Sequence, residues 1–136
     1  MKAVLQYRAS QGFQKRISET VPDWLNVLVI DEAQKKTFGA EIADADVLLH
    51  VLEVVTAEVI ADASSLRLIQ KIGVGVNTID LDAARSHDVA VCNMPGANSR
   101  AVAEMTLTLM LAALRRIPYF DARTRQGSLQ LSLIHI

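Results

Sequence analysis

Short apolar runs alternate with helix-spaced patterns along most of this chain. "KAVLQY" (2–7), "NVLVID" (26–31), "VLLHVL" (47–52), "LRLIQKIGV" (66–74) and "VAVCNM" (89–94) each predict a strand. Between the first two, "GFQKRISET" (12–20) sets Phe13 and Ile17 four apart, on one helix face. "EAQKKTFGAEIADA" (32–45) reads as a second helix, weakened at Gly39 by about 1 kcal/mol relative to alanine. Thr56 is placed to cap a third helix, with Glu58 in its first turn. Asp80 is placed to cap a fourth, with Asp82 early and Arg85 and His87 late, the charge order that the helix dipole favours.

Five strands joined by helical crossovers predict an α/β fold. The strand segments are continuous apolar runs rather than alternating ones, which predicts a parallel sheet covered on both faces. After "PGANS" (95–99) a long helix begins near Ser99. From 101 to 114 almost every position is apolar, so this helix is expected to be buried nearly all round, against more surface than a lone small domain offers. Pro118 is expected to break or kink it. Cys92, inside a strand segment, is expected in the core.

Composition narrows the function classes. At 136 residues, half of them apolar, the chain is one domain's worth of sequence with enough material for a core. Lys and Arg number 14 against 15 Asp and Glu, without the concentrated basic face of a nucleic-acid binder. The densest basic stretch, Arg115, Arg116, Arg123 and Arg125, is interrupted by Asp121 and reads as a solvated helix face. A single cysteine excludes an intrachain disulfide framework and fits a reducing, cytoplasmic setting. "MKAVLQYRAS" lacks the features of a signal peptide, and 102–114 falls short of the ~18 residues a membrane span needs, so no membrane partner is expected. The three histidines are scattered and no Cys or His pair has ligand spacing, so no metal site is expected.

The stretch "KIGVGVNTID" (71–80) raises the functional question. A dinucleotide loop needs Gly-x-Gly-x-x-Gly between a strand and a helix. Gly73 and Gly75 fill two positions, but the third falls on Thr78 and "NTIDL" follows instead of an immediate helix. The alternatives are a plain structural turn or a loop whose successive backbone N–H groups hold an anion such as a carboxylate. In open α/β sheets ligands sit beyond the carboxyl ends of the strands. "GVGVN" and "PGANS" follow the fourth and fifth strands and are expected at the same sheet edge.

Residues 66–118 resemble the D-isomer-specific 2-hydroxyacid dehydrogenases, a family that includes phosphoglycerate, glyoxylate/hydroxypyruvate and formate dehydrogenases. The resemblance combines G-V-G-V-N-x-I-D-L, a strand ending in N-x-P-G-A-N-S, and V-A-E opening an apolar helix that ends in R-x-I-P. "VTAEVIADASSLRLI" (55–69) extends it upstream, and residues 1–45 fit in pattern only.

The resemblance implies a flavodoxin-like substrate domain. The activity it implies is hydride exchange between NAD or NADP and a small 2-hydroxy or 2-oxo acid, in a homodimeric parent enzyme. It assigns the substrate carboxylate to the backbone N–H groups of Val74, Gly75 and Val76, and puts Val74 and Val102 near the cofactor. Asn98 matches a family asparagine that contacts substrate in some members; its other reading is a helix cap. Ala103 and Glu104 share the helix turn of Val102, and for Glu104 a salt bridge is an equal reading. His50 stands where several phosphoglycerate-type members carry a substrate-contacting arginine. It either faces the cleft or is a partly exposed strand-end histidine, and the difference weakens phosphoglycerate as the substrate.

The resemblance also implies that the acid–base histidine, its orienting acid, the carboxylate-clamping arginine and the true Gly-x-Gly-x-x-Gly loop lie further along the family's sequence. The expected organisation is therefore residues 1–98 as the first part of the substrate domain, 99–127 as a hinge helix leading to a nucleotide-binding domain, and 128–136, "SLQLSLIHI", as a tail in place of the family continuation. A fragment of this kind is expected to lack turnover and to self-associate. The contrasting class is a non-catalytic flavodoxin-like module. A receiver is disfavoured because "KAVLQYR" ends without an acid and His50 ends the third strand, whereas a small-carboxylate-binding module stays open.

Overall fold

Five short strands form one parallel sheet in the order β2-β1-β3-β4-β5. The computed structural model describes residues 1–128. The elements run β1 (Lys2–Gln6), α1 (Gln11–Thr20), β2 (Asn26–Ile30), α2 (Lys35–Ile42), β3 (Val47–His50), α3 (Ala57–Asp62), β4 (Leu68–Lys71), α4 (Leu81–Ser86) and β5 (Ala90–Cys92). Two further helices follow, α5 (Ser99–Leu114) and α6 (Ile117–Arg125). The chain divides into two compact units, Met1–Pro95 and residues 96 onward.

Side-chain chemistry explains where the helices begin. Ser10, Thr56 and Asp80 each accept a hydrogen bond from a backbone N–H in the first turn of α1, α3 and α4. Such caps satisfy donors that have no partner within the helix. At the start of β1, Lys2 ties the strand to the region of α2 through ion pairs with Glu41 at 2.7 Å and with Asp44.

The core lies on one face of the sheet. Val4, Ile30, Leu48 and Ile69, one from each of four strands, pack with Phe38 and Ile42 of α2, Ile60 of α3 and Ala84 of α4. Each fully buried aliphatic side chain of this size is worth roughly 1.5–3 kcal/mol relative to exposure. On the other face, Ala3 and Leu5 are buried, but Val27, Val29, Val47, Leu49 and Leu68 are only half covered. Coverage is therefore unequal, where continuous apolar strands predicted two covered faces. Cys92 is exposed instead of buried, because β5 is the edge strand and its residues are at most half covered.

In the second unit α5 spans Ser99–Leu114, and none of its residues is buried, against the expectation of a helix buried nearly all round. Met105, Leu107, Leu109, Met110, Leu111 and Leu114 are all exposed. Its break falls at Arg116, which takes a left-handed conformation with φ 51°. Pro118 instead sits in the first turn of α6, where a missing N–H costs nothing. Of the expected tail 128–136, residues 129–136 lie outside the described residues.

Candidate functional site

The strand order reverses between β1 and β3, since the chain goes outward to β2 and then returns to build β3, β4 and β5 on the other side. The carboxyl ends of the strands beside such a reversal are where ligands of open α/β sheets bind. Three polar residues, Gln6, His50 and Lys71, close the adjacent strands β1, β3 and β4 there, and all three are buried. His50 and Lys71 are register partners.

Beyond Lys71 runs the glycine loop. Gly73 takes φ +149°, a conformation L side chains rarely adopt. Its carbonyl accepts the Met94 N–H at 2.9 Å, and the Val74 carbonyl accepts Nδ2 of Asn93 at 2.8 Å. The Val76 carbonyl accepts the Ile79 N–H at 3.0 Å. By contrast, among the described residues no acceptor takes the N–H of Val74, Gly75 or Val76. The loop thus spends its carbonyls on the protein and leaves three consecutive donors free. It is anchored at its ends by the Ile72 N–H on the His50 carbonyl at 2.8 Å and by a parallel bridge between Val55 and Ile79. Val74 and Gly75 are exposed and Val76 half-buried, so these donors lie on an accessible segment.

His50 is 3% exposed, which corrects the expectation of a partly exposed strand-end ring. Its Nε2 lies 2.5 Å from the Glu53 carbonyl. A carbonyl can only accept, so the ring proton sits on Nε2, and Nδ1 is left buried without a partner among the described residues. Burial, and secondarily the Lys71 ammonium, hold the ring's pKa below its usual 6.5, against the opposing pull of the Glu53 carbonyl. The Lys71 ammonium donates to the Val51 carbonyl. Both side chains therefore hold the turn after β3, the same turn that the bridge from Val55 pins to the glycine loop.

Of the predicted site residues, Val74, Gly75, Val76 and His50 belong to this strand-end region of the first unit. Asn98 and Val102 belong to the second. Asn98 occupies the N-cap position of α5, but its side chain makes no capping bond there, so the capping reading is corrected. Glu104 pairs with Arg100 at 2.9 Å along the exposed helix. His87 ends α4, with Nδ1 2.9 Å from the Ala83 carbonyl. Sequence reasoning missed the parts played by Asn93 and Lys71. The available signal was a long polar residue closing each of three apolar strands.

A dinucleotide's pyrophosphate does not fit the Gly73–Thr78 stretch as a cradle. Thr78 stands at the third glycine position, and its carbonyl is bonded to the Val55 N–H. The helix that follows, α4, begins only at Leu81 and has six residues. Among the described residues no group of three or more His, Cys, Asp or Glu is arranged to hold a metal, and no helix is long and apolar enough to cross a membrane.

A five-stranded parallel sheet in this order, with an anchored glycine loop at the carboxyl edge, defines a flavodoxin-like α/β domain. Residues 4–132 match the family model for the catalytic domain of D-isomer specific 2-hydroxyacid dehydrogenases, and the chain belongs to that family. It is 46% identical over 94 residues to a D-3-phosphoglycerate dehydrogenase of Methanocaldococcus jannaschii, covering 68% of this chain and 18% of that protein. A Thermus thermophilus protein of known structure aligns at TM-score 0.82 and 28% identity, over 97% of this chain and 42% of its own. The 3-phosphoglycerate dehydrogenase of Entamoeba histolytica, solved with NAD+ bound, aligns at TM-score 0.74 and 26% identity, over 85% of this chain and 39% of its own. The match spans 14–30% of the length of these curated relatives.

Proposed function

We propose that this chain is the first part of the substrate domain of an NAD(P)-dependent D-2-hydroxyacid dehydrogenase, and that the N–H groups of Val74, Gly75 and Val76 hold the carboxylate of a small 2-hydroxy or 2-oxo acid. The observation that carries the reading is the division of labour in the loop: carbonyls bonded inward, three consecutive amides without acceptors. A carboxylate supplies the missing acceptors, and charge-assisted bonds of this type are roughly twice as strong as neutral ones. Backbone donors fixed before binding need no reorganisation when the acid arrives.

When bound in the intact enzyme, NAD(P) would supply hydride-transfer chemistry for the carbon bearing the hydroxyl or oxo group, while the Val74–Val76 amides would hold the acid by its carboxylate. The groups that move protons in that step, and the dinucleotide loop, belong to a downstream domain. Support for this comes from the short share of the relatives' length that the chain spans and from the poor fit of its own glycine loop to a pyrophosphate. His50 acts through the turn it holds. For Asn98 and Val102 the family resemblance supports a substrate and a cofactor contact, and for the parent it supports a homodimer in the cytoplasm.

The test is an amide-resolved NMR titration of the 136-residue chain with glyoxylate, pyruvate and hydroxypyruvate. Saturable shifts at Val74–Val76 are expected, and shifts confined to other residues would refute the assignment. The chain with NADH and any of these acids is expected to show no turnover. A non-catalytic carboxylate-binding module is the second reading, because all three free amides lie within this chain. The same gene read past Gly127 separates the two. A strand leading into Gly-x-Gly-x-x-Gly, then an arginine, an acid and a histidine, establishes the enzyme, and their absence establishes the module.

A further inference from the structure

A cleft of about 220 Å³ opens at the carboxyl end of β1, on the α2–α3 face of the sheet. Gln6 closes its floor, α2 and α3 form its walls, and the turn after β3 supplies Glu53 and Val54. It shares no residue with the glycine loop. We propose that this cleft is a second ligand site, suited to a small zwitterion with an aliphatic body, namely a free α-amino acid of leucine's kind.

Three observations carry the proposal. The cleft sits where the strand order reverses, at the β1/β3 switch that ligands of this sheet topology favour. Gln6 is only 8% exposed, and its side-chain amide makes no hydrogen bond to any described residue. Its amide atoms are not among the fully buried polar atoms, so solvent reaches them and their donors and acceptor are available to a ligand. Gly39 lies inside α2, where glycine weakens a helix, and a Cβ there meets no atom within 4 Å. Packing therefore does not require glycine at this wall of the cleft, and its absent side chain leaves room.

The charges select the class of ligand. Lys35 and Glu53 face each other with Nζ and Oε2 4.0 Å apart, a long and largely exposed pair that contributes little and parts easily. Asp62 adds a second carboxylate to the lining. A ligand carboxylate suits Lys35 and the Gln6 amide, and a ligand ammonium suits Glu53 and Asp62. An anion alone would meet two carboxylates, and a wholly apolar body would leave Gln6 unpaired. Between the charged groups, Phe38, Ile42 and Val59 offer an apolar bed for an aliphatic side chain.

The experiment is an NMR titration of the 136-residue chain with L-leucine, with 4-methylpentanoate and isoamylamine as analogues lacking the ammonium or the carboxylate. The Gln6 side-chain amide and the Gly39 backbone amide report on the cleft, and Val74–Val76 report on the glycine loop. Leucine is expected to shift Gln6 and Gly39 saturably at roughly millimolar concentration, with the loop amides unmoved and each analogue at least about tenfold weaker. Gly39→Leu, a better helix former that occupies the cleft, is expected to abolish the shift while melting no lower than the parent chain. The proposal is overturned if leucine produces no saturable shift at Gln6 and Gly39, if either analogue matches it, or if the variant folds and still responds. Because the reporters are separate, failure here leaves the carboxylate titration of the glycine loop standing or falling by its own result.

Discussion

Replacing Gly73 with alanine tests whether the glycine loop is held in the conformation that frees its amides. At φ +149° an L residue is strained, and the new methyl group would stand 3.3 Å from Cε of Lys71. Lys71 cannot readily yield, because it is buried and its ammonium is committed to the Val51 carbonyl. Backbone strain of this sort costs about 1–3 kcal/mol, while the stiffer unfolded chain returns about 0.4–1 kcal/mol. The expected net loss is about 1–2 kcal/mol, read in urea as a midpoint lower by roughly 0.5–1 M at unchanged slope. Gly75→Ala is the matched control. Gly75 has no positive φ, and its added Cβ meets only Oδ1 of Asn77, at 3.0 Å, the end of an exposed side chain that can move aside. Its stability is expected to change by no more than about 0.5 kcal/mol. Equal losses in the two variants, or no loss in Gly73→Ala, would refute the loop geometry on which the carboxylate assignment rests.

His50→Gln addresses the buried ring. With the folded pKa below 6.5, the unfolded chain takes up a proton first as the pH falls, so stability is intact above about 6.5 and declines below it, by at most about 1.4 kcal/mol per pH unit. The variant should show a shallower acid-side decline in urea midpoints measured across this range, and an unchanged slope would remove His50 as the cause. Leu48→Ala, at the centre of the α2–α4 face, should cost about 2–5 kcal/mol by chemical denaturation. A charged residue in place of Leu109 or Leu111 on exposed α5 should reduce self-association in sedimentation experiments, because an exposed apolar surface of this kind drives contact. Undiminished association in both variants would place the sticky surface elsewhere.

Periodicity alone fixed a good deal. The order of strands and helices through α4, the parallel sheet, and the caps at Thr56 and Asp80 follow from local chemistry: apolar run length, side-chain oxygens at helix starts, and acids ahead of bases. The glycine pair marked the loop that follows β4. Element ends were less legible. β4 begins at Leu68 rather than at residue 66, and β5 keeps only three residues, because hydrogen-bonded pairing and not hydrophobicity decides where a strand stops.

What tertiary structure decided was the environment of each residue. Sequence could not tell that His50 turns inward, that Cys92 lies on an open edge, or that α5 keeps its apolar residues exposed within this chain. Nor could it show that the carbonyls of Gly73, Val74 and Val76 are bonded while the amides of Val74, Gly75 and Val76 are free. The physical reason is that local patterns encode which backbone shapes are favourable, whereas burial and hydrogen-bond partners are properties of segments distant in sequence, such as Asn93 beside Val74 and Glu53 beside His50, that meet only when the sheet is assembled.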